Sequence, residues 1–151
     1  MACEMEASAV QLYTRALSLM EQLGRRDEPL YEGLDQMRRD EREHLRQFRA
    51  LCGEEDVAPE RRIALAAAAQ NVLFEGGLMG AARQGLLESM ERMLRFAMRC
   101  EAISAQKYRE FAAMAQSPSA REALLMIASE EDGHLAVLEA QYKKEGVSNE
   151  T

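Results

Sequence analysis

The amino-acid sequence has little of what builds sheets and tight turns. It contains no tryptophan, three prolines and only 5% aromatic residues among its 151 positions. Alanine, leucine, methionine and glutamate are abundant instead, and these residues favour helices. The composition therefore predicts an all-α protein, and the length predicts a single domain over residues 1–151 with enough chain for a core.

Cysteine is also scarce. Cys3, Cys52 and Cys100 are odd in number and far apart, and no two of them form a Cys-x-x-Cys pair. This spacing excludes a zinc ribbon and a rubredoxin-type iron centre. Free cysteines fit a reducing compartment, and the N-terminus has no signal-peptide pattern, so we expect a cytoplasmic protein.

The chain has neither a net positive charge nor a long apolar run. Lysine and arginine total 19 against 26 acidic residues, which gives a net charge of −7. This balance argues against nucleic acid as a partner. The alanine-rich run from Ala64 to Ala69 is too short to cross a membrane and is followed by Gln70. We therefore expect neither a nucleic-acid nor a membrane partner.

Only two histidines are present, and both occupy the same local pattern. Each follows a glutamate by three residues, as Glu41 with His44 and Glu131 with His134. One such pair is usually a solvated pair on a helix, because glutamate is common here. These two pairs, however, lie in apolar stripes of helical spacing: Leu34, Met37, Glu41, His44, Phe48 and Leu51, and Leu124, Ile127, Glu131, His134 and Leu138. Buried acids and histidines need partners, so the pattern indicates a site inside the fold.

The rest of the chain divides into two helical hairpins. Helices are predicted from Cys3 to Leu23 and from Pro29 to Leu51, and again from Leu86 to Ala115 and from Ser119 to Lys144. The hairpins thus span about residues 3–51 and 86–144, with a crossover over about 52–85. A four-helix bundle with one long crossover is the ferritin-like arrangement.

Local signals refine the helix ends. Pro59 predicts the start of a short alanine-rich helix in the crossover, and Gly80 and Gly85 predict irregular chain after it. Ser119 and Glu122 predict a capping box for the last helix.

The first and third helices carry a matching signal. Each has one glutamate in its apolar stripe and a tyrosine seven residues later, Glu6 with Tyr13 and Glu101 with Tyr108. Glu6 alone could simply be an acid favoured by the helix dipole near an N-terminus. Glu101 lies in mid-helix, where that explanation fails. The two hairpins therefore form an internal repeat.

Four glutamates and two histidines inside a helical bundle point to two metal ions. This set matches the ligands of di-iron and di-manganese bundles, and four carboxylates neutralise two divalent ions. Oxygen-rich ligands with imidazole suit iron or manganese, whereas a structural zinc site would use cysteine. The predicted metal ligands are Glu6, Glu41, His44, Glu101, Glu131 and His134.

The sequence resembles the rubrerythrin branch of the ferritin-like superfamily over most of its length. The resemblance rests on Glu6…Tyr13, Glu41-Arg42-Glu43-His44, Glu101…Tyr108 and Glu131-Asp132-Gly133-His134. It implies a cofactor of two iron ions, with manganese or a mixed pair as alternatives, and the reduction of hydrogen peroxide or oxygen under oxidative stress. It further implies that Glu41 and Glu101 bridge the ions and that Tyr13 and Tyr108 act in catalysis by hydrogen-bonding the carboxylates.

The chain departs from typical rubrerythrins in two ways. It has no rubredoxin domain, so we expect an external electron donor such as a rubredoxin. Ser104 stands where their third helix carries a second glutamate. Two other readings stay open: a ferroxidase or iron-handling protein, in which iron is the substrate, and a helical interaction module without metal. We also expect a homodimer, since the alanine-rich crossover could pack on or exchange with a second subunit.

Overall fold

A computed structural model of the chain describes residues 1–52 and 77–148. The regular elements in these two ranges are five helices, which we number α1 (Ala2–Gln22), α2 (Pro29–Cys52), α3 (Gly77–Arg83), α4 (Met90–Met114) and α5 (Pro118–Ser148). The all-α class is thus confirmed. The helix predicted to begin at Pro59 lies outside the described residues.

The chain divides into two compact units, Met1–Met93 and Leu94–Thr151. The first unit contains α1, α2, α3 and the first residues of α4. The second contains the rest of α4 and all of α5. Each unit therefore holds one of the two predicted repeats, with one Glu-x6-Tyr and one Glu-x-x-His.

The first unit is built on the α1–α2 hairpin, whose turn is fixed by Gly24. This glycine has φ 70°, a left-handed conformation that side chains disfavour. The amide of Arg25 donates to the carbonyl of Met20 at 2.8 Å, and the amide of Gly24 donates to Glu21 at 3.1 Å. These two bonds form a Schellman motif, which satisfies the last carbonyls of α1 and sends the chain back as α2.

The apolar stripes of α1 and α2 supply the core of this hairpin. Leu12 and Met20 of α1 are buried, as are Leu34 and Phe48 of α2. Burying one such side chain stabilises a fold by about 1.5–3 kcal/mol. The helical period thus places the Glu41 and His44 stripe in the interior, where the sequence pattern predicted it.

The opposite side of α2 is charged, with Arg39, Glu43 and Arg46 exposed and with Asp35 and Arg38 half-buried. Asp35 accepts hydrogen bonds from Arg38 and Arg39, and these bonds hold the pKa of its carboxyl below the usual value. Glu43 and Arg46 form a similar pair. The arginine-rich face is therefore a solvated one. In the part of the chain that is described, no helix has the length and apolar character needed to cross a membrane.

The start of α4 differs from the prediction. We expected this helix from Leu86, but it begins at Met90. Gly85 has φ 69° and closes a turn after α3, and the Ser89 hydroxyl accepts a hydrogen bond from the Arg92 amide at 3.2 Å. Ser89 thus caps the helix. Gly80, expected in irregular chain, lies inside α3.

The second unit is the α4–α5 hairpin. Its helix α5 begins at Pro118, and the Ser117 hydroxyl accepts from the Ala120 amide at 3.4 Å. The N-cap is therefore Ser117, followed by proline at the first helical position, and not Ser119 as predicted. Arg121 donates to the carbonyl of Ala112 at 3.2 Å, which joins the two helices near the turn. Helix α5 also continues to Ser148, beyond the predicted end.

Candidate metal sites

The first unit gathers Glu6, Glu41 and His44, which we call the first triad. Glu6 lies on α1, while Glu41 and His44 lie three apart on the buried face of α2. All three are at most 1% exposed. Nδ1 of His44 lies 3.3 Å from Oε2 of Glu41 and 3.5 Å from Oε2 of Glu6. One ligand atom from each residue lies within 4.8 Å of the others.

The second unit repeats this arrangement with Glu101, Glu131 and His134, the second triad. Glu101 comes from α4, and Glu131 and His134 come from the buried face of α5. Nδ1 of His134 lies 3.6 Å from Oε1 of Glu101. The three residues are also buried, and their ligand atoms lie within 4.8 Å of one another. Each hairpin thus brings its three predicted ligands together.

The donor atoms of each triad fit a metal ion. Metal–ligand bonds to oxygen or imidazole nitrogen are about 2.1 Å long. Two ligand atoms at right angles around the ion are then about 3 Å apart, and two on opposite sides are about 4.2 Å apart. The His–Glu separations of 3.3 to 3.6 Å fall in that range. The same separations also meet the distance of an ion pair, and Nδ1 of His44 shares a hydrogen bond with Oε2 of Glu41 at 3.3 Å.

Charge gives a second reason for a cation. Two carboxylates are buried in each triad, and buried carboxylates repel one another and lose their hydration. The imidazole of each triad compensates this charge only if it is protonated. A divalent ion in each triad would balance the charge and use the oxygen and nitrogen donors that iron and manganese accept.

The two predicted catalytic tyrosines are buried. Tyr13 is fully buried on α1 and Tyr108 is 1% exposed on α4, where its ring centroid lies 6.2 Å from that of Phe111. Each lies about two helical turns from the glutamate of its own helix. Their hydrogen bonds to the carboxylates stay a prediction.

An ion pair beside the second triad was not predicted. Arg109, next to Tyr108 on α4, donates to the carboxylate of Asp132, next to Glu131 on α5. The pair joins the two helices at the level of the triad and raises the pKa of the Arg109 guanidinium. The sequence alone does not predict this ion pair, because Arg109 and Asp132 are 23 positions apart and charged surface residues are common. The ion pair links α4 to α5 and so favours one register of these two helices.

Two further residues lie close to Glu101 along α4, Cys100 and Ser104. Cys100 is buried, and this burial together with the charge of Glu101 raises the pKa of its thiol. Ser104 is 5% exposed and lies one turn after Glu101 on α4. Ser104 is therefore an interior residue on the same helix as Glu101.

Comparison with known proteins gives one match. A family model described as the ferritin-like domain matches residues 1–144, which covers the first hairpin and all but the last four residues of the second. No curated protein and no solved structure matches the chain. With the all-helical structure, the family match confirms the predicted fold class.

Proposed function

Since this chain belongs to the ferritin-like domain family, we propose that it is a rubrerythrin-like protein that binds two iron ions and reduces hydrogen peroxide or oxygen. The observation that carries the proposal is the matched pair of buried triads, each with one glutamate and one Glu-x-x-His. Manganese or a mixed pair would suit the same donors. No cysteine takes part in either triad, which argues against a structural zinc site.

In this proposal each triad holds iron with the same set of ligand residues. Glu6 and Glu101 come from the first helix of each hairpin, and the Glu-x-x-His pairs come from the second. The internal repeat supports two equivalent ligand sets, one in each hairpin, as a centre of two ions requires.

Bound ferrous ions would supply the two electrons that cleave the O–O bond of peroxide. The chain must supply the rest, which is ion binding, exclusion of water and delivery of two protons for each peroxide reduced to two waters. The carboxylates of the triads and the imidazoles of His44 and His134 would hold the ions. The buried hydroxyls of Tyr13 and Tyr108 are the candidates for delivering these protons, and buried apolar residues such as Leu34 and Leu138 exclude water.

Continuous turnover requires electrons from outside the chain. The sequence has no Cys-x-x-Cys pair for a rubredoxin-type centre. We propose a separate donor such as a rubredoxin for this reduction, and we propose that the protein acts in the cytoplasm.

A second function is favoured by Ser104. The buried serine removes the extra carboxylate that typical rubrerythrins offer to oxidised iron. A ferric ion gains more from an added carboxylate than a ferrous ion does, so its loss weakens retention of oxidised iron. The alternative is a ferroxidase or iron-handling protein, in which iron is oxidised and then released.

One experiment tests the proposal and separates these functions. The diferrous protein is mixed anaerobically with hydrogen peroxide in a stopped-flow instrument, and the absorbance of ferric iron is followed. We expect oxidation within seconds to minutes, with iron still bound after gel filtration. Oxidation followed by loss of iron would favour the iron-handling function. If neither peroxide nor oxygen oxidises the protein within minutes, the oxidoreductase proposal fails.

A further inference from the structure

A cavity of about 290 Å³ lies beside helix α1 in the first unit. Four of its lining residues follow one another at helical spacing along α1, and two come from the turn before α4 and from the start of α4: Arg15, Ser18, Leu19, Gln22, Leu87 and Met93. None of the six is a candidate metal ligand. The cavity is therefore a concave site that shares no residue with the first triad.

The lining of the cavity is polar on one side and apolar on the other. The arginine, the serine and the glutamine are exposed, whereas Met93 is buried and the two leucines are half-buried. The guanidinium, the hydroxyl and the amide thus lie toward solvent, and the apolar side chains lie deeper. Sites for small molecules have this character, because a few polar groups orient a ligand whose remaining surface contacts apolar side chains.

Arg15 is the only charged residue among the six. In residues 1–52 and 77–148 its side chain forms neither an ion pair nor a hydrogen bond. The positions three and four residues away on α1 hold Gln11, Leu12, Ser18 and Leu19, none of which is acidic. A guanidinium offers its donors in a planar fork that matches a carboxylate. The cavity thus presents one positive charge on a chain whose net charge is −7.

The volume and the charge limit the kind of ligand. A cavity of about 150 Å³ binds benzene, so one of about 290 Å³ accommodates roughly ten to twelve non-hydrogen atoms. A single guanidinium balances one negative charge, which suits a carboxylate better than a phosphate dianion. The apolar side of the cavity then covers the hydrocarbon part of the ligand.

We propose that this cavity binds a small monocarboxylate with an apolar body of roughly eight to ten carbon atoms. Arg15 pairs with the carboxylate through two parallel N–H···O bonds. The serine hydroxyl and the glutamine amide donate to the lone pairs that remain, and the three apolar side chains contact the hydrocarbon. Because no candidate metal ligand takes part, binding at this cavity does not depend on the metal centre proposed above.

Isothermal titration calorimetry of the full chain with sodium octanoate tests the proposal. We expect about one octanoate per chain, with a dissociation constant below about 1 mM. Octanamide has the same carbon chain without the charge and should bind roughly tenfold more weakly. Inorganic phosphate should also bind more weakly than octanoate. The proposal is overturned if octanoate does not bind at concentrations on the order of 10 mM, if octanamide binds equally well, or if phosphate binds more tightly.

Three variants locate the binding. Arg15→Gln should raise the octanoate dissociation constant roughly tenfold and leave that of octanamide unchanged. The matched control is Arg42→Gln, at an exposed arginine of α2 that does not line the cavity, and it should keep the original constant. Ser18→Phe, at an exposed position, should fill the cavity and weaken the binding of both ligands.

Equal octanoate constants for the unaltered protein and Arg15→Gln would contradict the assignment of Arg15, and undiminished binding by Ser18→Phe would contradict the assignment of the cavity. Circular dichroism of each variant checks that it is folded. Iron content is measured on every sample, so a failure of the carboxylate site is distinguished from a failure of the proposed metal centre.

Discussion

The imidazole of His44 and the carboxylate of Glu41 face each other on the buried side of α2, with Nδ1 3.3 Å from Oε2. Both side chains are buried, and Glu6 approaches the same nitrogen at 3.5 Å. A neutral imidazole can donate one hydrogen bond or bind one ion through this nitrogen, but it cannot neutralise two carboxylates. This geometry places Nδ1 of His44 within 3.5 Å of both carboxylates of the first triad, so replacing His44 tests metal binding there.

His44→Ala and His134→Ala should each lower the amount of bound iron, and by similar amounts, because the two hairpins repeat the same ligand set. Elemental analysis of the purified variants measures the loss. Glu139→Ala is the matched control, because Glu139 is an exposed acid on the same helix as His134. If both histidine variants keep the full amount of iron, the histidines have a structural role only.

Bound metal should raise the melting temperature. Without an ion, the buried carboxylates of each triad repel one another, and a ligand that binds only the folded state stabilises it by mass action. Free metal at 100 times its dissociation constant adds about 2.7 kcal/mol, which corresponds to roughly 5–10 °C for a domain of this size. Thermal unfolding followed by circular dichroism, with and without iron, measures the shift. Equal melting temperatures would show that the acids are not in the ion's coordination shell.

Ser104→Glu should speed the oxidation of the diferrous protein by peroxide. The added carboxylate would lie one turn after Glu101 in the interior and would favour ferric over ferrous iron. Ser104→Ala is the control for loss of the hydroxyl alone. Stopped-flow oxidation rates of the unaltered protein and of the two variants test this prediction. An unchanged rate in Ser104→Glu would show that the missing carboxylate does not limit the reaction, even if the unaltered protein is oxidised.

Cys100 should resist alkylation in the folded protein. Burial, and secondly the negative charge of Glu101, raises the pKa of its thiol, so at pH 8 it stays protonated, and only the thiolate is nucleophilic. Cys3 is half-buried and should react sooner. Treatment with iodoacetamide at pH 8 and peptide mass spectrometry measures both, with urea-unfolded protein as the control. Rapid alkylation of Cys100 without unfolding would mean that the interior of α4 is open to solvent.

Gly33→Ala and Gly24→Ala should have opposite effects on stability, although a Cβ meets nothing within 4 Å at either position. Gly33 lies within α2 at an ordinary helical φ, so alanine should stabilise the fold by about 0.5–1 kcal/mol. Gly24 has φ 70°, where alanine costs about 1–2 kcal/mol. Urea unfolding of both variants gives the free energies. Changes of the same sign would contradict the conformational argument.

The residues of both triads could be predicted because helical periodicity is a local property. Glu41 with His44, and Glu131 with His134, fall in apolar stripes that any helix would bury together. The tyrosines were found in the same way, and the structure buries both. The all-α class followed from composition and turn signals alone.

The helix ends and the supporting contacts depended on geometry that the sequence does not display. Leu86 and Leu87 continue the apolar pattern of α4, but the turn at Gly85 and the cap at Ser89 start the helix later. The ion pair between Arg109 and Asp132 joins two helices, and only their packing selects these partners among many charged residues.

Iron stoichiometry tests the central claim most directly. The protein is produced in iron-supplemented cells, purified anaerobically and analysed for metal per chain. Six ligands arranged as two triads predict about two ions per chain. Fewer than about half an ion per chain under these conditions, with zinc and manganese also absent, would contradict the claim that the two buried triads form a metal centre.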